Sequence, residues 1–255
     1  MIDDYSNVTE ASGTLVTGEA IEMLVTRYSW AAAAAAGKDV LEVACGAGQG
    51  LGVLARVARR VVGGDYTQAL LDGARRQYAG RVPLLRLDGQ QLPFRDASFD
   101  VILLFEAIYY LPSTDAFLAE CRRVLRPRGT LLVCSANRQW SGFNPSPHST
   151  RYFDADSLSQ LLGAHGFAVR MFGAFPASTP SASGQIVSMV KRLAVALHLI
   201  PKTMKGKELL KRLFLGPLQP FPAELQSTAA SQPLVPVSSG AGGFKVIYAE
   251  GTLAR

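Results

Sequence analysis

The most constraining feature of this 255-residue chain is the segment VLEVACGAGQG, residues 40–50. Its first residues are apolar and β-favouring, so they predict a buried strand. Gly46 and Gly48 then predict a turn in which the backbone approaches a ligand without an intervening Cβ. Apolar residues at helical spacing follow the turn: Leu51, Val53, Leu54 and Val57. A strand, a glycine turn and a helix in this order place a small ligand at the carboxyl edge of a parallel sheet.

Three acidic residues narrow the choice of ligand. Glu42 lies inside the first predicted strand, Asp65 ends the next apolar run about 20 residues after Gly46, and Asp88 ends a third run. A ligand that meets carboxylates at three successive strand ends carries several hydrogen-bond donors and a positive charge. S-adenosylmethionine has this combination, whereas Glu42 would repel a pyrophosphate and the turn contains no Lys or Arg to offset that repulsion.

A dinucleotide site is the competing interpretation of the same region. Residues 50–55, GLGVLA, match the pattern G-x-G-x-x-A. That match begins about one turn into the predicted helix, so its backbone N–H groups are not free to hold a pyrophosphate. The sequence therefore favours the methyl donor over a nicotinamide or flavin nucleotide.

Four segments resemble the class I S-adenosylmethionine-dependent methyltransferases, in the branch with a methyltransferase-11-like core. They are VLEVACGAGQG, VVGGDYTQALL, RLDGQQLPFRDASFDVILLFEAIYYL and ECRRVLRPRGTLLV, in the order and spacing of that family. The resemblance covers residues 38–135, and RYFDADSLSQLLGAHGF extends it loosely to residue 167. It implies a Rossmann-like, doubly wound α/β fold: a mostly parallel sheet whose last strand is antiparallel.

The resemblance also implies a set of cofactor-binding residues. Glu42 would face the methionine ammonium, Asp65 would hold the ribose hydroxyls, and Tyr66 would lie beside the adenine. The full set is Tyr28, Glu42, Ala44, Gly46, Gly48, Asp65, Tyr66, Asp88, Gly89, Gln90 and Phe105. Ala44 departs from the family pattern because it replaces the first glycine of the motif, and we expect a slightly displaced loop that still binds.

Composition sets the class of protein. A chain of this length with 48% hydrophobic residues can bury one substantial α/β core. Its three cysteines lack paired or metal-binding spacing, so reduced thiols that fill apolar space are expected. The sequence shows no signal peptide and no apolar run long enough to span a bilayer. We therefore expect a cytoplasmic protein.

The pattern of elements divides the chain into four parts. Residues 1–36 form a flexible lead and a helix, residues 37–174 the cofactor-binding core, residues 175–243 an inserted helical cap with a mobile linker from residue 226, and residues 244–255 the final strand of the core. The helix of the first part contains six consecutive alanines, which suits close packing on a sheet.

The inserted segment is strongly basic. From residue 185 to residue 216 it carries seven basic residues and one acidic residue, Glu208. Helices are predicted at 185–199 and 207–215. A lid, a dock for an anionic substrate and a peripheral membrane contact all fit this charge, as does plain solvation of an outer face. Nucleic-acid binding is not favoured, because no aromatic residues alternate with the basic ones.

Candidate acceptor-site residues follow the fourth and fifth predicted strands. Glu106 and His148 are the candidate catalytic bases, since an oxygen acceptor benefits from a group that takes its proton. Tyr109, Tyr110 and Arg151 are the candidate substrate-binding residues, and Arg151 would hold an anionic group. A metal-assisted reaction would need an acid at position 136, where the chain has alanine, so no metal is expected.

The sequence thus predicts a methyltransferase that acts on a small or medium acceptor, at a hydroxyl oxygen of a sugar-containing, anionic or natural-product substrate. Methylation at carbon or nitrogen is the alternative within the same fold. A catalytically silent binding module is the alternative from another class, and the three retained carboxylates argue against it. The oligomeric state is left open.

Overall fold

A computed structural model describes residues 4–146, 148–177, 217–229, 231–238 and 241–253. The helices are α1 (Gly18–Ala35), α2 (Leu51–Ala55), α3 (Gln68–Tyr78), α4 (Thr114–Val124) and α5 (Ala155–Ala164). The strands are β1 (Leu15–Thr17), β2 (Asp39–Val43), β3 (Arg60–Asp65), β4 (Leu84–Arg86), β5 (Phe99–Phe105), β6 (Leu125–Ala136), β7 (Phe167–Pro176), β8 (Leu218–Pro220), β9 (Val235–Pro236) and β10 (Phe244–Leu253).

Helix starts follow from local side-chain caps. The Thr17 hydroxyl accepts from the backbone N–H of Ala20 at 3.2 Å and begins α1. Asp154 and Ser157 form a reciprocal capping box at the start of α5. The alanine run lies within α1, where residues 31 and 35 are fully buried because small side chains allow close approach to the sheet.

The central sheet has eight strands in the order β4-β3-β2-β5-β6-β10-β7-β9. The pairs from β4 to β6 are parallel, whereas β10 is antiparallel to both β6 and β7. The predicted Rossmann-like, mostly parallel sheet with an antiparallel last strand is confirmed. Strand order reverses between β2 and β5, and ligands of such sheets bind at the carboxyl edge beside that reversal.

Two apolar cores cover the faces of the sheet. One packs α1 and α2 against the side chains of β2, β5 and β10 on one face. The other packs α4 and α5 against the opposite face. Cys45, Cys121 and Cys134 are buried free thiols, consistent with a packing role. Among the described residues, no helix combines the length and the hydrophobicity needed to cross a bilayer.

Residues 4–14 differ from the predicted flexible lead. The backbone N–H of Tyr5 donates to the Thr67 hydroxyl at 3.1 Å, and the Gln49 side chain donates to the Glu10 carbonyl at 3.0 Å. β1 then pairs with β8. These hydrogen bonds hold the lead against the end of the sheet. The polar composition of the lead does not predict this contact.

The predicted mobile linker after residue 226 is also tied to the core over its described residues. β9 pairs with β7, and the backbone N–H of Gln232 donates to the Thr26 hydroxyl at 2.9 Å. Earlier in the insert, Phe221 and Leu225 are buried in the core beside α1 and α2. The helices predicted at 185–199 and 207–215, with the basic residues that they carry, lie outside the described residues.

Candidate active site

A cavity of about 510 Å³ lies at the carboxyl edge of the parallel strands. Its floor is formed by the ends of β2, β3 and β5 and by the glycine turn, and the lead at residues 5–10 forms part of its wall. Loop residues 106–112 and 136–152 contribute its other end. Residues that are far apart in the chain therefore share one enclosed space.

The glycine turn requires backbone conformations that favour glycine. Gly46 and Gly48 have φ of +58° and +83°. A Cβ on Gly48 would lie 3.0 Å from the Tyr78 ring, whose hydroxyl donates to the Gly48 carbonyl at 2.6 Å. Gly48 therefore faces Tyr78 beneath the turn. Ala44 adopts a φ of +58° although it has a Cβ, at a position that contributes to the cavity wall.

Asp65, at the end of β3, fastens the turn. Its Oδ2 accepts from the backbone N–H of Gly46 at 2.8 Å, and its Oδ1 accepts from that of Thr67 at 2.8 Å. Burial raises the pKa of this carboxyl, although both bonds oppose the shift. Because a carboxylate has about four acceptor positions, each oxygen of Asp65 can still receive a ligand hydroxyl.

Glu42 is a buried carboxyl with one free oxygen. The Tyr28 hydroxyl donates to its Oε1, while its Oε2 is buried without a hydrogen-bond partner among the described residues. Burial raises the pKa of Glu42 to about 8, against the opposing effects of the Tyr28 hydrogen bond and the Arg27 guanidinium. A buried polar atom without a partner is costly, so Oε2 is suited to a ligand that brings a donor.

Asp88 and Gln90 lie on the neighbouring wall. The Asp88 carboxylate accepts from the backbone N–H of Gln90 at 2.8 Å, and the Gln90 side chain accepts from the backbone N–H of Ser113 at 2.8 Å. A Cβ on Gly89 would lie 3.2 Å from Val43, so glycine permits this close approach to β2. These contacts fix the loop that carries Asp88.

Glu106 stands at the other end of the cavity, directly after β5. Its Oε2 accepts from the Tyr109 hydroxyl at 3.0 Å and from the backbone N–H of Ala136 at 3.2 Å. Its φ is +51°, a strained conformation for a residue with a side chain. The Cys134 thiol donates to its Oε1 at 3.5 Å, so three donors and a strained backbone together fix one carboxylate at the cavity wall.

Aromatic rings line the same end. Tyr109 stacks on Tyr152 with ring centroids 4.3 Å apart and packs against Tyr110 at 4.6 Å. Trp140 also contributes to the wall, with the Lys245 ammonium 5.5 Å from its ring centroid. Flat, mostly apolar surfaces of this kind suit a ring-containing or lipophilic ligand.

Known proteins resemble this chain in sequence. A sequence model of the methyltransferase domain matches residues 41–133. A probable S-adenosylmethionine-dependent methyltransferase of Mycolicibacterium smegmatis is 42% identical over 140 residues, which are 52% of this chain and 53% of that protein. A demethylmenaquinone methyltransferase of Clavibacter sepedonicus is 30% identical over 176 residues, 66% of this chain and 70% of that protein. The chain belongs to the class I S-adenosylmethionine-dependent methyltransferases.

A solved structure supports the same fold. The structure from Thermotoga maritima titled as an S-adenosylmethionine-dependent methyltransferase, possible histamine N-methyltransferase, has a TM-score of 0.58 and 16% identity, and covers 92% of this chain and 94% of its own. At that identity the likeness concerns the fold alone. The chain spans about half the length of the first curated relatives that it matches.

S-adenosylmethionine is the cofactor of this family, and the chemistry of the cavity fits it. The free Oε2 of Glu42 is suited to an ammonium, and the remaining acceptor positions of Asp65 are suited to a ribose diol. No residue of the turn offers a cation that would favour a pyrophosphate. The donor set therefore matches a cationic nucleoside.

Most residues predicted for the site border the cavity. They are Tyr28, Glu42, Ala44, Gly46, Asp65, Tyr66, Asp88, Gly89, Gln90, Phe105, Glu106, Tyr109 and Tyr110. Three predicted residues lie elsewhere. Gly48 packs under the turn, and His148 and Arg151 are exposed outside the cavity wall.

The loop that carries His148 explains its position. The backbone N–H of Thr150 donates to the Tyr109 carbonyl at 2.7 Å, and that of Ser146 donates to the Tyr152 hydroxyl at 3.0 Å. These bonds turn Ser146 toward the cavity and His148 outward. Arg151 places its guanidinium 5.0 Å from the centroid of the Phe153 ring.

Sequence reasoning missed several residues of the cavity wall. Arg27 is half-buried, one residue before Tyr28, and its Nε donates to the Met23 carbonyl at 3.3 Å. In the described part of the chain it has no carboxylate partner. Arg27 lies four residues after Met23 in α1, and both residues lie on the helix face that borders the cavity. This spacing is a sequence pattern from which Arg27 could have been predicted. Gln49, Trp140, Phe221 and Lys245 carry no comparable local signal.

Proposed function

We propose that this protein transfers a methyl group from S-adenosylmethionine to a hydroxyl oxygen of a small or medium-sized natural-product acceptor. The observation that carries the proposal is the position of Glu106. It is a fixed carboxylate in the same cavity as Glu42 and Asp65, directly after the strand that neighbours β2. A donor site and a proton acceptor that share one cavity are the two requirements of O-methylation.

The donor end holds the cofactor by charge and by hydrogen bonds. Glu42 receives the ammonium, Asp65 receives the ribose hydroxyls, and Asp88 with Gly89 receives the adenine edge. Bound S-adenosylmethionine supplies a methyl group on a sulfonium leaving group. The protein's contribution is to align that methyl with the acceptor, which lowers the barrier by several kcal/mol through proximity alone.

At the acceptor end, Glu106 would take the hydroxyl proton as the methyl–sulfur bond breaks and the carbon–oxygen bond forms, with S-adenosylhomocysteine as the leaving group. The Tyr109 hydroxyl and the Ala136 N–H hold the carboxylate in one orientation, so it does not need to reorganise during the reaction. His148 is exposed and outside the cavity wall, which makes Glu106 the better candidate of the two predicted bases.

The lining favours one of the acceptor classes that the sequence left open. Tyr109, Tyr110, Tyr152 and Trp140 present ring faces and edges, which suit a flat or lipophilic natural product better than a free sugar. The Lys245 ammonium is already paired with Glu19 at 2.6 Å, so a strongly anionic acceptor is less favoured. The name of the Clavibacter relative supports a quinone-type acceptor as the second candidate.

The test has a donor step and an acceptor step. Calorimetry with S-adenosylhomocysteine should show binding to one site, and a panel of phenols, quinols, hydroxylated lipids and sugars should then be assayed with methyl-labelled donor. Label on a hydroxyl oxygen supports the proposal, and label on carbon supports the quinone-type alternative. Binding without transfer to any acceptor supports the silent module.

Arg27 provides a direct test of how the donor is oriented. Arg27 borders the same cavity as Glu42 and precedes Tyr28, whose hydroxyl donates to Glu42, so the guanidinium and the carboxyl suit the carboxylate and ammonium of one amino acid. Arg27→Met should weaken S-adenosylhomocysteine about tenfold or more. It should leave 5′-methylthioadenosine unchanged, because that compound lacks the amino-acid end. Equal weakening of both compounds would contradict this orientation.

A further inference from the structure

Two segments outside the methyltransferase motifs meet over the donor end of the cavity. The first is the lead, residues 4–14, and the second is residues 217–225, which follow the inserted segment. We call them the lead strap and the insert strap. Both contribute to the cavity wall, through Thr9 and Glu10 of the first and Phe221 of the second.

The straps are bonded to each other. The backbone N–H of Gly13 donates to the Phe221 carbonyl at 2.9 Å, and that of Phe221 donates to the Thr14 carbonyl at 2.8 Å. The β1–β8 ladder continues this pairing. Phe221 is 4% exposed, so the contact is packed as well as hydrogen-bonded.

Gln49 connects both straps to the glycine turn. Its side-chain Nε2 donates to the Glu10 carbonyl of the lead strap at 3.0 Å. Its own carbonyl accepts from the backbone N–H of Leu225 in the insert strap at 2.8 Å. Gln49 is 6% exposed and also borders the cavity. One buried residue of the cofactor turn thus holds two segments that come from distant parts of the chain.

The straps lie directly over the positions that the donor needs. The Thr9 methyl would be 3.3 Å from a Cβ on Gly46. The Tyr5 ring lies 6.4 Å from that of Tyr66 and 5.3 Å from that of Tyr110, across the adenine side of the cavity. A nucleoside seated on Asp65 and Asp88 would therefore lie beneath these residues of the lead strap.

Further contacts hold the insert strap at its far end. The Glu224 carboxylate accepts from Arg81 at 3.0 Å and from Gln77 at 3.2 Å, both outside the cavity. The Arg56 guanidinium donates to the carbonyls of Leu225 and Gln226. These contacts attach residues 224–226 to the core, so the segment around Phe221 is the part of the insert strap that can open while its far end stays attached.

We propose that the two straps form a gate over the donor and that Gln49 is the positioning residue that keeps it closed. S-adenosylmethionine enters, and S-adenosylhomocysteine leaves, when the bond from Gln49 to Glu10 opens and the lead strap moves away together with Phe221. This inference rests on the proposed function, because it requires the donor to occupy the cavity. It adds control of exchange, which the motif residues do not provide.

The gate predicts a specific kinetic signature. Gln49→Met keeps the length of the side chain and removes its N–H donor. Stopped-flow fluorescence with S-adenosylhomocysteine should then show association and dissociation rates that both rise about fivefold, the factor for one net hydrogen bond, with the Kd within about twofold. Gln160→Met, an exposed glutamine on α5, is the matched control and should change neither rate.

Other outcomes overturn the gate. If only the dissociation rate of Gln49→Met rises, Gln49 is a ligand contact and not a gate residue. If neither rate changes, the bond from Gln49 does not limit the exchange of the donor. Failure of the wild-type protein to bind S-adenosylhomocysteine overturns the proposed function, and this inference with it.

Hydrogen exchange of the wild-type chain provides a second measurement that does not depend on a variant. The amides of Gly13 and Phe221 should exchange about tenfold or more slowly with saturating S-adenosylhomocysteine, because opening is then coupled to release. Equal exchange with and without the ligand, while the glycine-turn amides become protected, would overturn the gate.

Discussion

The two ends of the cavity are built in different ways. The donor end takes its carboxylates from residues 42–88, each placed by the end of a parallel strand that follows the previous one in sequence. The acceptor end combines Glu106, Tyr152 and Lys245, which come from two loops and an antiparallel strand. Consecutive strand ends can be located from local patterns, whereas a wall assembled from distant segments depends on the whole fold.

This difference also separates the tasks of the two ends. Two of the donor-end carboxylates accept from backbone N–H groups, Asp65 from Gly46 at 2.8 Å and Asp88 from Gln90 at 2.8 Å, whereas Glu42 accepts from the Tyr28 hydroxyl. The acceptor-end carboxylate of Glu106 is held by the Tyr109 side chain and by the backbone N–H of Ala136, the last residue of β6. Under the proposed function, the donor end would keep one ligand, and the acceptor end could change without disturbing the cofactor.

The largest expected effect tests the acceptor end. Glu106→Gln keeps the shape of the side chain and removes its ability to take a proton, so kcat should fall at least about 100-fold. Donor affinity measured by calorimetry should stay within about twofold. Glu22→Gln, an exposed position on α1, is the control. Near wild-type turnover of Glu106→Gln would show that Glu106 is not the base. The two ends of the cavity would then differ in how they are assembled but not by a catalytic base at the acceptor end.

The next effect tests the donor end. Asp65→Ala removes the acceptor of two backbone N–H groups as well as the proposed ribose contact, so donor affinity should fall by about 2 to 3 kcal/mol. Asp72→Ala removes an exposed carboxylate from α3 and should leave donor affinity unchanged. Calorimetry with S-adenosylhomocysteine measures both variants. An unchanged affinity for Asp65→Ala would contradict the ribose assignment.

What could be predicted from the sequence follows the same division. Local sequence patterns predicted the strand, glycine turn and helix around Gly46. They also predicted the end of β3 at Asp65 and the apolar segment before Asp88. The ordering of residues 4–14 had none, because those residues are fixed by Thr67, Gln49 and β8 rather than by their own composition. His148 was placed on the acceptor side by its loop, but hydrogen bonds between that loop and residues 109 and 152 turn it outward.

The pH dependence of donor binding sharpens the account of Glu42. Because burial raises its pKa to about 8, the carboxyl is mostly protonated at pH 6 to 7 in the free protein, and binding of an ammonium requires that it lose the proton. Affinity for S-adenosylhomocysteine should therefore rise about tenfold from pH 6 to pH 7. Calorimetry in buffers of different ionisation enthalpy should detect proton release.

The stability of the ligand-free protein should change in the opposite direction. A carboxyl whose folded pKa lies above its ordinary value of 4.5 stabilises the fold when protonated. This contribution is complete below about pH 4.5 and is lost as the pH rises toward 8.

Tyr28→Phe removes a hydrogen bond that lowers the pKa of Glu42. In this variant, the rise in affinity for S-adenosylhomocysteine with pH should therefore occur at higher pH. If the affinity for S-adenosylhomocysteine changes with pH no more than the affinity for 5′-methylthioadenosine does, the ammonium assignment is contradicted.

The smallest expected effect concerns Ala44, where the chain departs from the family's glycine. Its φ of +58° is costly for a residue with a Cβ, so Ala44→Gly should raise the free energy of unfolding by about 1 kcal/mol, measured by urea denaturation. The control is Ala79→Gly, a left-handed position with a φ of +46° at the end of α3, where a similar gain is expected. Ala44 borders the cavity and Ala79 does not, so the comparison also measures what the methyl group does to the donor end. If both variants are stabilised and only Ala44→Gly changes donor affinity, the alanine tunes binding. If Ala44→Gly is destabilised, the methyl group packs well enough to outweigh its backbone strain, and the turn is not merely a displaced version of the family's loop.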